Sequence, residues 1–314
     1  MIIKNDVAIR SISWLSGSYI RSGLVKNYYE PESVDELIEL CRKFYISSLE
    51  FDLVGHTSNI LYTLDYCCEN MVSTRKCKKF EINEKDIVCE CGVPVRQLSI
   101  AAVEIGVKGF EGLIDLPGTV ASALYGHATC YNCDISDKLI ESKVLIPNGD
   151  IITVKPDWFE FGHRSSALKR GEKKGIILTA TFRRENGNSE VLKSMAEQNH
   201  SKRRQIQPEA KNSLGSIFRN HGEPTFLYRV ISILLNPYCG VLSLMGKEKD
   251  EILKRKKHLV LKLLGASDIE QYVRTWNWYQ WKDEQAHVLF GKYVRIHKLL
   301  FAKSDFEIEI KKNT

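Results

Sequence analysis

Apolar positions along the 314-residue chain switch between two periods, and the switches predict its elements. Val34, Leu37, Ile38 and Cys41 recur at three- and four-residue spacing, which gives a helix one apolar face. Ser33 precedes that run, and Asp35 and Glu36 fill its first turn, where a side-chain cap and the helix dipole both favour them. Residues 49–54 alternate apolar with polar, the pattern of a half-buried strand, and lead into Gly55-His56-Thr57-Ser58-Asn59. Short strands are predicted over 80–83 and 86–91. A helix striped by Val95, Leu98, Ala102 and Ile105 follows, and Gly106 stops it. Residues 143–146 and 150–154 pair as a hairpin through Pro147-Asn148-Gly149-Asp150, and 175–182 form a buried strand.

The polar, turn-rich Glu185-Asn186-Gly187-Asn188-Ser189 ends this α+β part. Beyond it the pattern predicts helices at 191–204, 226–235, 247–264 and 283–301, then a strand over 306–310. The expected division is 1–78, 79–185 and 186–314, without internal repeats.

Composition narrows the function classes. At 43% hydrophobic and 27% charged residues, the chain reads as an ordinary globular protein. Its apolar runs read as shorter than the roughly 18–20 residues of a membrane span, and its N-terminus lacks a signal-peptide pattern. Nine cysteines, an odd number with close spacings, are expected to be reduced thiols of a cytoplasmic protein. The net charge of +6 suits anionic ligands, and the two basic clusters (202–204 and 254–257) lack the interleaved aromatics of a nucleic-acid binder.

Two bends carry the candidate chemistry. Pro117-Gly118-Thr119 turns sharply, and small residues after it (Ala121, Ser122, Ala123, Gly126, Ala128) let a flat ligand approach the backbone. The Gly55 bend can aim backbone N–H groups at a diphosphate. Each alone also reads as an ordinary turn, and neither is a P-loop or a GxGxxG.

Taken with Phe161-Gly162-His163-Arg164-Ser165, with Gln207-Pro208 and Gly215-Ser216-Ile217-Phe218-Arg219-Asn220, and with Phe306-Glu307-Ile308-Glu309-Ile310, the two bends resemble the motifs of the UDP-N-acetylenolpyruvoylglucosamine reductase family, in order. That resemblance implies an α+β fold: a two-subdomain FAD-binding module of the PCMH (vanillyl-alcohol-oxidase) type plus a C-terminal α+β substrate-binding domain. It implies non-covalent FAD held by Gly55, His56, Thr57, Ser58, Asn59, Pro117, Gly118, Thr119, Val120, Ala128, Ile135 and Ile176, with NADPH as co-substrate. The implied reaction reduces the enolpyruvyl group of a UDP-linked amino sugar in peptidoglycan precursor synthesis. Hydride comes from flavin N5 and a proton from Ser216, while Arg164 and Glu309 stabilise charge on the substrate carboxylate. The expected partners are that nucleotide-sugar substrate, with neither nucleic acid nor membrane, in a monomer or weak dimer.

Departures leave alternatives open. His127-Ala128-Thr129-Cys130-Tyr131-Asn132 replaces the family's Asn-Ala-Gly-Ala-Tyr-Gly, His56 stands where a small residue is usual, and the family's glycine-rich stretch is not recognisable in 240–250. The alternatives are a flavin oxidoreductase on another nucleotide sugar or acid, or a flavin-binding homologue without this activity. Arg164, Ser216 and Glu309 also read as a surface ion pair, a loop cap and a solvated carboxylate. His56 and His127 read as polar lining groups rather than covalent anchors. Cys130-x-x-Cys133 is half a zinc site without its second half, so no metal is expected. Trp276, Trp278 and Trp281 read as packing residues.

Overall fold

A computed structural model describes residues 2–11, 20–206, 212–219 and 222–312. The Gln207-Pro208 and Asn220 positions of the motif pattern lie outside the described residues. The first unit opens with β1 (Ile2–Ser11) and β2 (Ile20–Glu30), then α1 (Val34–Ile46). Three short strands follow, β3 (Asp52–Val54), β4 (Ile60–Tyr62) and β5 (Cys67–Ser73). Its sheet runs β1-β2-β5-β3, antiparallel at β1·β2 and parallel at β2·β5 and β3·β5. Ser33 caps α1 as expected, its hydroxyl accepting from Glu36 N, and Leu37, Ile38, Leu40, Cys41 and Phe44 are buried. The strand predicted from residue 49 begins only at Asp52, because Leu49 N donates to Phe44 O and so closes the helix end.

The second unit carries β6 (Phe80–Ile82), β7 (Asp86–Glu90), α2 (Val95–Glu104) and α3 (Val120–Gly126). Next come β8 (Thr129–Cys130), β9 (Cys133–Asp134), β10 (Leu139–Leu145), β11 (Ile151–Val154) and β12 (Ile176–Arg183). Its sheet, ordered β11-β10-β12-β7-β6, is antiparallel throughout, and the predicted 143–154 hairpin forms its edge. Ile105, expected on the buried stripe of α2, is the exposed C-cap instead, since the helix ends at Glu104. The core of α1 is completed by Cys91, Leu145, Ile176 and Leu178 of the second unit, so the two sheets share one apolar seam. All nine cysteines are free thiols.

The last part comprises α4 (Ser189–Ile206), β13 (Glu223–Pro224), α5 (Phe226–Leu244) and α6 (Lys249–Leu263). It ends with β14 (Val273–Thr275), β15 (Trp278–Tyr279), α7 (Glu284–Leu300), β16 (Phe301–Ala302) and β17 (Glu309–Lys311). Trp281 is buried among Tyr272, Tyr279, Phe290 and Tyr293, and Trp278 is buried as well, the packing role expected of them. Two expectations need correction here. The helix read as ending at residue 235 continues through Pro237 to Leu244. Proline forfeits one bond to the carbonyl four residues back, and that residue, Ile233, is exposed, so water can satisfy it. At 19 residues, α5 is also long and apolar enough to cross a membrane by length and composition, contrary to the reading of the apolar runs.

The chain closes on itself at β17, which pairs in parallel with β4 of the first unit, Glu309 opposite Ile60. The last strand therefore lies directly beside the Gly55 bend.

Candidate active site

The two glycine-bearing bends touch. A Cβ on Gly55 would stand 2.8 Å from Thr119 Oγ1, and one on Gly118 would stand 3.4 Å from Ser58 Oγ. Gly118 also has φ of +114°, a conformation that L side chains avoid. Thr119 starts α3 through a capping box, its hydroxyl accepting from Ser122 N while Ser122 Oγ accepts from Thr119 N. The short side chains that follow (Ala121, Ser122, Ala123) keep this wall low. In the first bend Thr57 adopts a left-handed backbone, φ 53°. Asn59 locks the bend to the C-terminal strand: its Nδ2 donates to Glu307 O at 3.0 Å, and its carbonyl accepts from Glu309 N at 2.9 Å.

Arg164 sits in a turn closed by two backbone bonds, Gly162 N to Ser165 O at 2.9 Å and Ser165 N to Gly162 O at 3.0 Å. Its φ of 53° is left-handed, strain of the kind that concentrates at functional sites. Its Nε lies 3.4 Å from Glu307 Oε1. Ser216 is brought to the same place because Glu307 N donates to Ile217 O at 2.9 Å, while Ser216 itself bridges to Trp278. Glu307, two residues ahead of Glu309 at the start of β17, is held with it against Asn59, and both are half-buried. Glu309 Oε1 stands 3.8 Å from Lys169 Nζ.

Burial sets the electrostatics of this cluster. It pushes the carboxyls of Glu307 and Glu309 up from their ordinary range, opposed by Arg164 and Lys169 for the first and by Lys169 and Lys311 for the second. Lys169 is pushed down by burial, while the charge of Glu309 holds it up. Raised in this way, each carboxyl holds a proton more readily than a solvated carboxylate does.

All of this faces one cavity of about 1300 Å³. Of the residues expected at the site, Gly55, His56, Thr57, Ser58, Asn59, Pro117, Thr119, Ala128, Arg164, Ile176, Ser216 and Glu309 line it. Val120 and Ile135 are in the core instead, their N–H groups already bonded to Val93 O and Ala128 O. Glu307, Lys169 and Tyr125 line the cavity without having been singled out. The Glu307-x-Glu309 alternation would have revealed the first, but no local signal marks Lys169, which arrives by tertiary packing. Single small-molecule sites span about 300–1,000 Å³, so this volume accommodates a large cofactor together with a second ligand. FAD suits the residues present: the Gly55 bend with the Ser58 hydroxyl for the diphosphate, and small side chains for a flat ring system. Among the described residues, no three His, Cys, Asp or Glu side chains group as a metal site would require.

The two histidines differ. His56 lines the cavity and is buried, and desolvation, with help from Arg75, lowers its pKa to about 4. It is therefore a neutral hydrogen-bonding group at physiological pH. His127, read as a lining group, is a structural tie instead. Its Nδ1 lies 2.6 Å from Gly162 O, its Nε2 2.8 Å from Asp134 Oδ2, and its ring stacks on Phe161.

A folded His56 refuses a proton that the unfolded chain accepts below its ordinary value of 6.5. Its contribution is complete above that value and falls as pH drops toward 4, by up to ~1.4 kcal/mol per unit and ~3 kcal/mol in total. Denaturant titrations at pH 7 and pH 4.5 should show His56→Gln losing distinctly less stability on acidification than the parent. Equal losses would mean that the imidazole does not titrate this way.

Residues 25–155 match the family model described as an FAD binding domain. The chain is 34% identical over 191 residues to a UDP-N-acetylenolpyruvoylglucosamine reductase of Caldicellulosiruptor saccharolyticus, a stretch that is 60% of this chain and 61% of that one. It is 30% identical over 197 residues to the same-named protein of Fervidobacterium nodosum, 63% of each. The chain spans about three-fifths of the length of these curated relatives. A UDP-N-acetylenolpyruvylglucosamine reductase from Thermus caldophilus has the same fold, with TM-score 0.66 over 98% of this chain and 99% of that one, at 16% identity.

Proposed function

We propose that this chain belongs to the UDP-N-acetylenolpyruvoylglucosamine reductase family, to whose members it is similar, and is an FAD- and NADPH-dependent enzyme that reduces the enolpyruvyl group of a UDP-linked amino sugar. The observation that supports this reading is the convergence of Arg164, Ser216 and Glu309 on the cavity that the two bends border. Bound FAD supplies hydride chemistry that no side chain can provide.

The chain's own groups do the rest. The Gly55 bend and the Thr119 turn bind and orient the cofactor. Arg164 pairs with the substrate carboxylate, where negative charge grows during reduction, and a guanidinium does this in a fixed two-point geometry. Glu309 holds its proton more readily than a solvated carboxylate, so it can hydrogen-bond that same group. Ser216 Oγ delivers the proton to the neighbouring carbon as general acid. Glu307 keeps the guanidinium aimed until substrate arrives. The units 1–78 and 79–185 form the cofactor module, 186–314 closes the substrate side, and the protein works in the cytoplasm as a monomer or weak dimer.

The purified protein should show a yellow flavin spectrum, retained on gel filtration or gained with added FAD. It should oxidise NADPH faster when the enolpyruvyl sugar is present, and Ser216→Ala should lose ~10²–10⁴-fold of that rate. A colourless protein that takes up no FAD would remove the reading. A second reading, another nucleotide sugar as substrate, is favoured by the 240–250 stretch, where the family's glycine-rich run gives way to the end of α5 and the start of α6. Flavin reduced by NADPH and reoxidised by a different sugar, but not by the enolpyruvyl one, would select it.

A further inference from the structure

We infer that the α5–α6 hairpin is a docking surface for an anionic lipid bilayer, with α5 lying in the plane of the interface. Only Ile231 and Leu242 of α5 are buried, and they hold the helix to the domain. Tyr228 and Leu235 pack partly against the same cluster as Ile231, but six other apolar side chains stand exposed among the described residues: Leu244 is 90% exposed, Phe226 83% and Leu234 72%, with Ile233, Val241 and Met245 beside them. At 100° per residue these six positions fall within an arc of about 120°, with the buried pair to one side of it and the polar Ser232, Asn236, Ser243 and Arg229 to the other, which is the amphipathic geometry of an interfacial helix.

Charge names the occupant. Residues 226–264 carry eight Lys and Arg against three Asp and Glu, so this hairpin holds five of the chain's net +6. Most of the cations lie on α6, packed alongside, and Arg255 contacts the Tyr238 hydroxyl at the edge of the apolar face. Apolar side chains bordered by lysine and arginine are complementary to acyl chains under anionic headgroups. A second copy of the same face would oppose +5 to +5, which disfavours a symmetric dimer there. Spanning is disfavoured as well, because α5 is pinned along one side by α6 and carries Arg229 and Asn236.

The test is co-sedimentation of the full-length protein with vesicles of phosphatidylcholine alone or with phosphatidylglycerol added. Binding is expected only with phosphatidylglycerol and should weaken as salt is raised. Leu234→Glu with Leu244→Glu should reduce partitioning ~100-fold or more, from lost apolar burial and added anionic repulsion. Lys249→Glu with Lys254→Glu should reduce it by at least ~20-fold, at about fivefold per cation removed. Both pairs are on the surface, so unchanged thermal melting and flavin content are expected and separate loss of docking from loss of fold or cofactor. Equal sedimentation with both vesicle types, or with neither, overturns the proposal. So does a concentration-dependent dimer that the Leu234 and Leu244 substitutions abolish while lipid binding is absent.

Discussion

Arg164→Gly should lose ~10²–10³-fold or more of turnover while the protein stays as stable as the parent or gains slightly. The two effects separate because this residue combines a needed guanidinium with an unfavourable backbone. Its φ of 53° costs a side-chain-bearing residue about 1–2 kcal/mol, which glycine does not incur. Against that gain, Glu307 loses the cation 3.4 Å away and its carboxyl is pushed further up. Arg164→Lys keeps the charge but not the two-point fork, so an intermediate rate is expected. Steady-state NADPH oxidation with the enolpyruvyl sugar reads the first effect, and a denaturant midpoint reads the second. A glycine variant that retains full rate would return Arg164 to the status of an ordinary ion pair. Pairing it with Ser216→Ala should cost far less than the product of the two losses, since groups that act together are not additive.

Gly55→Ala should release the flavin. The new methyl would meet Thr119 Oγ1 at 2.8 Å and Cγ2 at 3.3 Å, closer than carbon atoms normally approach. Thr119 cannot retreat easily, because it is fully buried and both halves of its capping box would break. The bends must then separate, and the cofactor that both hold should bind ~10-fold or more weakly. Thr119→Ala in the same chain removes the obstructing atoms for about 1 kcal/mol of lost cap, so the double variant should regain much of the affinity. Flavin retained per polypeptide after dialysis, followed by titration with FAD, measures both. If Gly55→Ala keeps its flavin, the contact between the bends is not what holds the cofactor.

The legible parts of the fold share a property: their signals are local. Ser33 before an apolar 3.6-residue stripe, Asn148-Gly149 between two alternating runs, and Asp283 ahead of α7 each state a cap or turn within a few residues. The errors arose where solvent exposure or a distant contact overruled such a signal. Asn236-Pro237 reads as a helix stop, yet α5 continues because the orphaned carbonyl lies on the solvent side. His127 reads as a pocket group, yet Gly162 O, Asp134 and Phe161 claim its ring from other segments.

By itself the sequence determined the elements, the α+β alternation, the two turns that must bend sharply and the residue types able to stabilise an anion or donate a proton. Backbone propensity and side-chain chemistry are properties of short stretches. Only the tertiary structure decided that Gly55 packs on Thr119, that the final strand returns to the first unit, and that this return sets Glu307 and Glu309 beside Arg164 and Lys169. These pairings join residues up to some 250 positions apart. Which distant groups meet is settled by how sheets and helices bury their apolar faces against each other.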